Sequence, residues 1–176
     1  MTSALVIRRA EVADARLLAE LGERTFRDTF AADNTPEDMA SYLAQAFGEE
    51  IQRAELASSA VTGLLAERDT RALGYALLRE GGESAGLVRG ERPVELQRLY
   101  VESAAKGQGV AQALMARVEE EARRRGGDVL WLGVWERNPR AIAFYRKCGF
   151  VDVGTHAFEL GKDRQTDRVM TKPLAP

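Results

Sequence analysis

The hydrophobic pattern divides the chain into short apolar runs and amphipathic stretches. Residues 5–8 read as a strand, and Leu17, Leu18, Leu21, Thr25 and Phe26 then recur at helical spacing to about Phe30. The segment from Ala31 to Pro36 breaks that helix. Thr35-Pro36-Glu37-Asp38 opens the next one. Threonine caps it, proline needs no N–H at the first helical position, and the acids meet the positive end of the dipole. Met39, Tyr42, Leu43 and Phe47 form its apolar face, Gly48 stops it, and residues 49–57 read as a further short helix.

Strands follow. Residues 61–66 and 72–78 flank a turn over 67–71 and predict a hairpin. Gly81-Gly82-Glu83-Ser84 opens a polar loop. Residues 94–101 form the next strand, and a long helix runs from about Gly107 to Arg125. Val110, Leu114, Met115, Val118 and Ala122 face inward on it, and Arg123, Arg124 and Arg125 sit at its negative end. Gly126-Gly127 ends it. Residues 129–135 are nearly all apolar, as expected of a strand covered on both faces, so Trp131 and Trp135 read as core. Residues 138–148 are helical with Gly149 as the stop, and residues 150–160 and 166–171 are closing strands. This order predicts an α/β architecture: a mixed sheet with helices on both faces.

The chain's 176 residues predict a single domain over 1–176. Charged residues make up 30% and the net charge is -2, a balance that points to neither nucleic acid nor an anionic membrane as partner. No run approaches the roughly 20 apolar residues of a membrane span. The one cysteine, Cys148, permits no internal disulfide. With no signal-peptide pattern at the N-terminus, these features predict a cytoplasmic protein. His156 is the only histidine and reads as structural or exposed. No metal-ligand cluster is expected.

The candidate chemistry begins between Glu95 and Gln112. A strand leads into the glycine-punctuated turn Lys106-Gly107-Gln108-Gly109, and a helix follows. Glycines let a backbone approach an anion, and the first helical N–H groups have no partner within the helix. A P-loop does not fit, because Gln108-Gly109-Val110-Ala111 follows Gly107. A dinucleotide fingerprint does not fit either, because its third glycine falls on Gln112. Spacing alone leaves open both a phosphate cradle and a plain strand-to-helix turn.

Lys106-Gly107-Gln108-Gly109-Val110-Ala111 resembles the Gln/Arg-x-x-Gly-x-Gly/Ala signature of the GCN5-related N-acetyltransferase (GNAT) superfamily, with lysine at its first position. Asn138-Pro139-Arg140-Ala141-Ile142-Ala143-Phe144-Tyr145, continuing to Gly149-Phe150, resembles the second signature of that superfamily. Four further segments are similar to its PaiA-type branch, the bacterial spermidine/spermine N-acetyltransferases. They are Thr25–Phe30, Asn34–Met39, Trp131–Glu136 and Gly161–Asp167. The resemblance implies a mostly antiparallel mixed sheet with a central splayed parallel strand pair. It also implies acetyl-CoA as co-substrate with no metal, a small primary amine (a polyamine first) as acceptor, and a possible homodimer.

On that resemblance, Lys106, Gly107, Gln108, Gly109, Val110, Ala111 and Gln112 hold the pyrophosphate. Leu99, Tyr100 and Val101 offer backbone groups to the pantetheine arm, and Asn138 and Lys147 contact the cofactor. Acetyl transfer needs a neutral amine, a polarised thioester carbonyl and a protonated leaving thiolate. Glu95 is the candidate base, and Tyr145 is the candidate acid, since a phenol's ordinary pKa of about 10 lies near a thiol's. Gln97, two residues along the strand from Glu95, is expected to orient water or substrate. Phe26, Asp28 and Phe30 are candidates for a polycation site, which needs acids for charge and aromatic walls for methylenes. The alternatives are a GNAT enzyme acting on a protein N-terminus, another small amine or an antibiotic, a non-catalytic acyl-CoA sensor, and a nucleotide-binding module.

Overall fold

The computed structural model describes residues 3–82 and 86–175, so Glu83 and Ser84 of the expected polar loop lie outside the described residues. Seven strands form one sheet: β1 (Val6–Arg9), β2 (Val61–Arg68), β3 (Arg71–Glu80), β4 (Pro93–Val101), β5 (Val129–Trp135), β6 (Val151–Leu160) and β7 (Asp163–Pro173). Their order across the sheet is β1-β2-β3-β4-β5-β7-β6. Only β4 and β5 run parallel; every other neighbouring pair is antiparallel. Helices α4 (Val110–Arg124) and α5 (Pro139–Lys147) pack on one face. Helices α1 (Ala15–Phe30), α2 (Pro36–Ala46) and α3 (Glu49–Ala57) pack on the other.

Local chemistry sets most element boundaries. The Thr35 hydroxyl accepts a hydrogen bond from the Asp38 N–H at 3.1 Å and caps α2. The β2–β3 strands run further than the sequence pattern indicates and leave only Asp69 and Thr70 in the turn. Both residues are left-handed, with φ of 52° and 63°. A two-residue turn with positive φ at both positions matches the twist of a hairpin. Helix α4 starts at Val110, not Gly107, because Gly107 and Gly109 have φ of 78° and 80°, outside the helical region. The last strand begins at Asp163 and ends at Pro173, several residues beyond the expected 166–171 at its start and two at its end.

Strand β4 carries the irregularity on which the site depends. Leu77 pairs with Arg98 and Leu78 with Leu96, so Gln97 is an extra residue with no partner on β3. This bulge reverses the alternation of the strand. Before it, Val94 and Leu96 enter the core shared with α4. After it, Leu99 and Val101 pack against that same core, while Tyr100 joins the aromatic residues of α1 and α2 on the opposite face.

The bulge is anchored through Arg98. Its guanidinium donates to Glu55 at 2.7 Å, to Gln52 at 3.2 Å and to the Ala46 carbonyl at 3.3 Å, and lies 5.2 Å from the Phe47 ring centre. Arg98 and Gln52 are buried, and Glu55 is nearly so. Breaking a buried ion pair from one side leaves an uncompensated charge, whereas removing both charges need not be costly. Glu55→Gln should therefore lower stability by about 3 kcal/mol in urea denaturation, and Arg98→Met combined with Glu55→Leu should recover most of that loss. A single-variant loss below about 1 kcal/mol would put the pair in the class of surface salt bridges.

Candidate active site

Strands β4 and β5 are paired only where Pro93, Val94 and Glu95 face Val129, Leu130 and Trp131. Beyond that point they separate, and a cleft of about 1020 Å³ lies between them. The β5-facing backbone edge of β4 after Glu95 and the β4-facing edge of β5 after Trp131 have no strand partner. Interior backbone N–H and C=O groups require partners. The cleft is thus a slot whose two walls can hydrogen-bond an extended, amide-containing ligand. Leu99, Tyr100 and Val101 line it. The Tyr100 side chain packs against Phe26, Phe47 and Tyr75.

At one end of the cleft are Lys106, Gly107, Val110, Ala111 and Gln112. The first hydrogen bond of α4 runs from the Ala113 N–H to the Gly109 carbonyl at 3.0 Å, so the N–H groups of Val110, Ala111 and Gln112 have no helical acceptor. A Cβ added at Gly107 or Gly109 would meet nothing within 4 Å, so the turn borders open space wide enough for an anion to approach the backbone. Gln108 and Gly109 do not line the cleft, contrary to the expectation for Gln108 as a ligand contact. The Gln108 side chain is held outside by Arg68 at 2.8 Å and by the Ala104 carbonyl at 2.8 Å.

Helix α5 forms the next stretch of wall. The Asn138 side-chain oxygen accepts from the Ala141 N–H at 3.2 Å and caps the helix, while the residue also borders the cleft. Lys147 lies in the last turn, exposed and at the cleft edge. Tyr145 packs edge-on against Phe144 and Phe150, and burial raises its phenol pKa.

The other end is aromatic and acidic. Phe26 lies 4.4 Å from Phe30 and 4.6 Å from Tyr42 between ring centres. Phe30 reaches across to Trp135 at 5.6 Å, and Tyr42 meets Phe158 at 5.4 Å. Asp28 is exposed at the rim, where it accepts from the Ser103 hydroxyl at 3.2 Å. Glu95 stands where β4 and β5 part, against Trp131 and the tight backbone of Gly82. Burial raises its pKa, and the charges of Arg79, His156 and Arg98 partly oppose that shift. Gln97, extruded by the bulge, accepts from Arg79 at 3.2 Å.

The fold adds residues that the sequence pattern leaves aside. Trp135 is not core but part of the cleft wall. His156 and Asp167 also line the cleft, with His156 Nε2 3.6 Å from Asp167 Oδ2. The two form a cross-strand pair on β6 and β7 and lie over Gly133, whose missing Cβ makes room for both. The sequence held a usable signal for this pair, since His156 and Asp167 stand equally far from the Gly161–Lys162 turn. Among the described residues, no three His, Cys, Asp or Glu side chains gather closely enough to hold a metal ion, and no helix is long and apolar enough to cross a membrane.

Comparison with known proteins places this architecture. Residues 24–150 match the Acetyltransferase (GNAT) family. An uncharacterized N-acetyltransferase of Lactobacillus delbrueckii subsp. lactis is 34% identical over 154 residues, 88% of this chain and 88% of that protein. One from Mycobacterium bovis is 35% identical over 161 residues, 92% of this chain and 98% of that protein. Among solved structures, the PaiA N-acetyltransferase of Thermoplasma acidophilum in complex with coenzyme A superposes with a TM-score of 0.76. The two are 20% identical over 97% of this chain and 99% of that one. The ribosomal-protein-S18-alanine N-acetyltransferase of Escherichia coli has a TM-score of 0.72 at 17% identity over 98% and 96% of the two chains. The two structures share the fold; the sequence matches, which extend over most of the chain, place this protein in the GNAT acetyltransferase family as an N-acetyltransferase.

Proposed function

We propose that the protein transfers the acetyl group of acetyl-CoA to a primary amine of a polyamine such as spermidine or spermine. One observation carries this reading. A single cleft runs from unpartnered helix N–H groups, past two unpaired backbone edges, to an aromatic end that contains acids. These three parts suit a pyrophosphate, a pantetheine arm and an apolar-stemmed ammonium, in that order. The likeness to PaiA N-acetyltransferase in fold is consistent with it.

Acetyl-CoA, when bound, supplies the activated acyl group. The residues of the chain do the rest. The α4 N-terminus at Val110, Ala111 and Gln112, with Gly107 and the Lys106 cation, holds the diphosphate. The free edge of β4 from Leu99 to Val101 orients the arm, and an N–H of that edge polarises the thioester carbonyl. Asn138 and Lys147 contact the cofactor from α5. Tyr145 donates its proton to the departing sulfur. The phenol is protonated at neutral pH, as the acid role requires, and burial raises its pKa further. Glu95 takes a proton from the amine, directly or through water, with Gln97 beside it. Phe26, Phe30 and Asp28 receive the acceptor chain.

Thiol release from acetyl-CoA should depend on spermidine or spermine and should be weak with a peptide N-terminus. Release with the peptide but with neither polyamine would overturn the choice of acceptor. Tyr145→Phe should lower kcat by about a hundredfold with little change in the KM for acetyl-CoA. Unchanged turnover would remove the general-acid role. Glu95 must be ionised to accept a proton, and burial raises its pKa, so kcat/KM should rise with pH through a value above that of an ordinary glutamate. Glu95→Gln should abolish that rise.

A further inference from the structure

The acceptor end contains a carboxylate that the chemistry above does not use. Asp167 is buried, and its Oδ2 lies over the open backbone of Gly133. Among the described residues its one ion-pair partner is His156, at 3.6 Å, longer than a hydrogen bond. No lysine or arginine pairs with it; the adjacent Arg168 turns to Asp152 at 3.4 Å. The other ionisable groups whose charges act on this corner do not supply a cation to Asp167. Glu136 and Glu95 are acids, Tyr42 is a neutral phenol, and Arg79 and Arg98 face Glu95 and Glu55. Elsewhere in this protein a buried acid is matched by a permanent cation, as Glu121 is by Arg124 at 2.9 Å. A buried carboxylate without such a partner is unfavourable, and burial accordingly raises its pKa. The surroundings suit a mobile cation. Trp135 stands beside Asp167 in the sheet register, and Phe30, Tyr42 and Phe158 complete an apolar, electron-rich wall.

We infer that Asp167 is the receptor for a second cationic group of the acceptor, held between the aromatic walls while the reacting amine lies towards Glu95. This rests on the reading of the cleft as an amine acetyltransferase site and specifies its substrate class: amines that carry another positive charge at a distance. The spacing supports it. Glu95 pairs with Trp131 and Asp167 with Trp135. Those positions on β5 are separated by roughly 13 Å at the usual rise per strand residue, and both side chains line the cleft. An alkyl chain between two amino groups spans such a gap, and the aromatic rings cover its methylenes.

The test compares spermidine with n-butylamine, which offers a reacting amine and no second charge. The wild-type protein should prefer spermidine in kcat/KM, and Asp167→Asn should reduce that preference on the order of tenfold, the scale of a charged hydrogen bond. The dissociation constant of acetyl-CoA should stay unchanged, which shows that the variant is folded. Because burial raises the Asp167 pKa, its charge is lost at a higher pH than an ordinary aspartate's. The wild-type preference should therefore shrink as pH falls, and in Asp167→Asn it should be small at every pH. An equal loss for both amines, or no loss for either, overturns the inference. If n-butylamine or another amine is acetylated and spermidine is not, polyamine acetylation fails. Spermidine should then still inhibit that reaction competitively, with Asp167→Asn relieving the inhibition. Spermidine that neither reacts nor inhibits overturns both.

Discussion

The parting of β4 from β5 after Glu95 is the constraint on which the rest of the molecule depends. Two parallel strands in the middle of a sheet gain a hydrogen bond with nearly every residue they pair. These two pair over three residues and then forgo the remainder. Something must compensate on each side. On β4 it is the bulge at Gln97 and the buried Arg98, which tie the strand to α3 through Glu55 and Gln52 and to the end of α2 through the Ala46 carbonyl. On β5 it is full antiparallel pairing with β7 along the other edge, from Val129 to Trp135. Each strand is thus fixed by its outer neighbour, and the space between them stays open.

That opening organises the chemistry by position. The helix that follows β4 points its N-terminus at one end of the slot because the Gly107 and Gly109 backbones make the corner. Helix α5 follows β5 and brings Tyr145 and Asn138 to the same slot. The aromatic end of the cleft is built from parts of the chain that are remote in sequence. Helices α1 and α2 supply Phe26, Phe30 and Tyr42, and the β6–β7 hairpin supplies His156, Phe158 and Asp167. The hairpin is held onto α2 by Asp38, which accepts from the Lys162 N–H at 2.8 Å, and onto the preceding loop by Gln165 and Asn34 at 2.6 Å. In the proposed reading, the cofactor half of the site is thus made by local strand–turn–helix units, and the acceptor half by long-range docking.

Two largely enclosed acids show how surroundings decide role. Glu55 is paired with Arg98 and serves the fold. Asp167 faces an aromatic cavity with only a loosely placed imidazole beside it. The sequence does not distinguish them, since each is one acidic residue among 27.

The sequence by itself determined the parts whose causes are local. Element order, the Thr35 cap, the glycine stops, the inward face of α4 and the strand-turn-helix run from Glu95 to Gln112 all follow from neighbouring residues. So does the family, through two motifs whose residues are contiguous. Only the tertiary structure decided the rest. A β-bulge has no fixed residue signature, so the reversal that sends Tyr100 to one face and Leu99 to the other was not legible. Trp135, in an apolar run, reads as core until β4 is seen to diverge from it. His156 reads as a structural or exposed histidine, and Asp167 carries no role of its own, until strand register sets them side by side over a residue that lacks a Cβ. Local rules concern bonds made along the chain, whereas the aromatic end of the cleft is made by contacts across it.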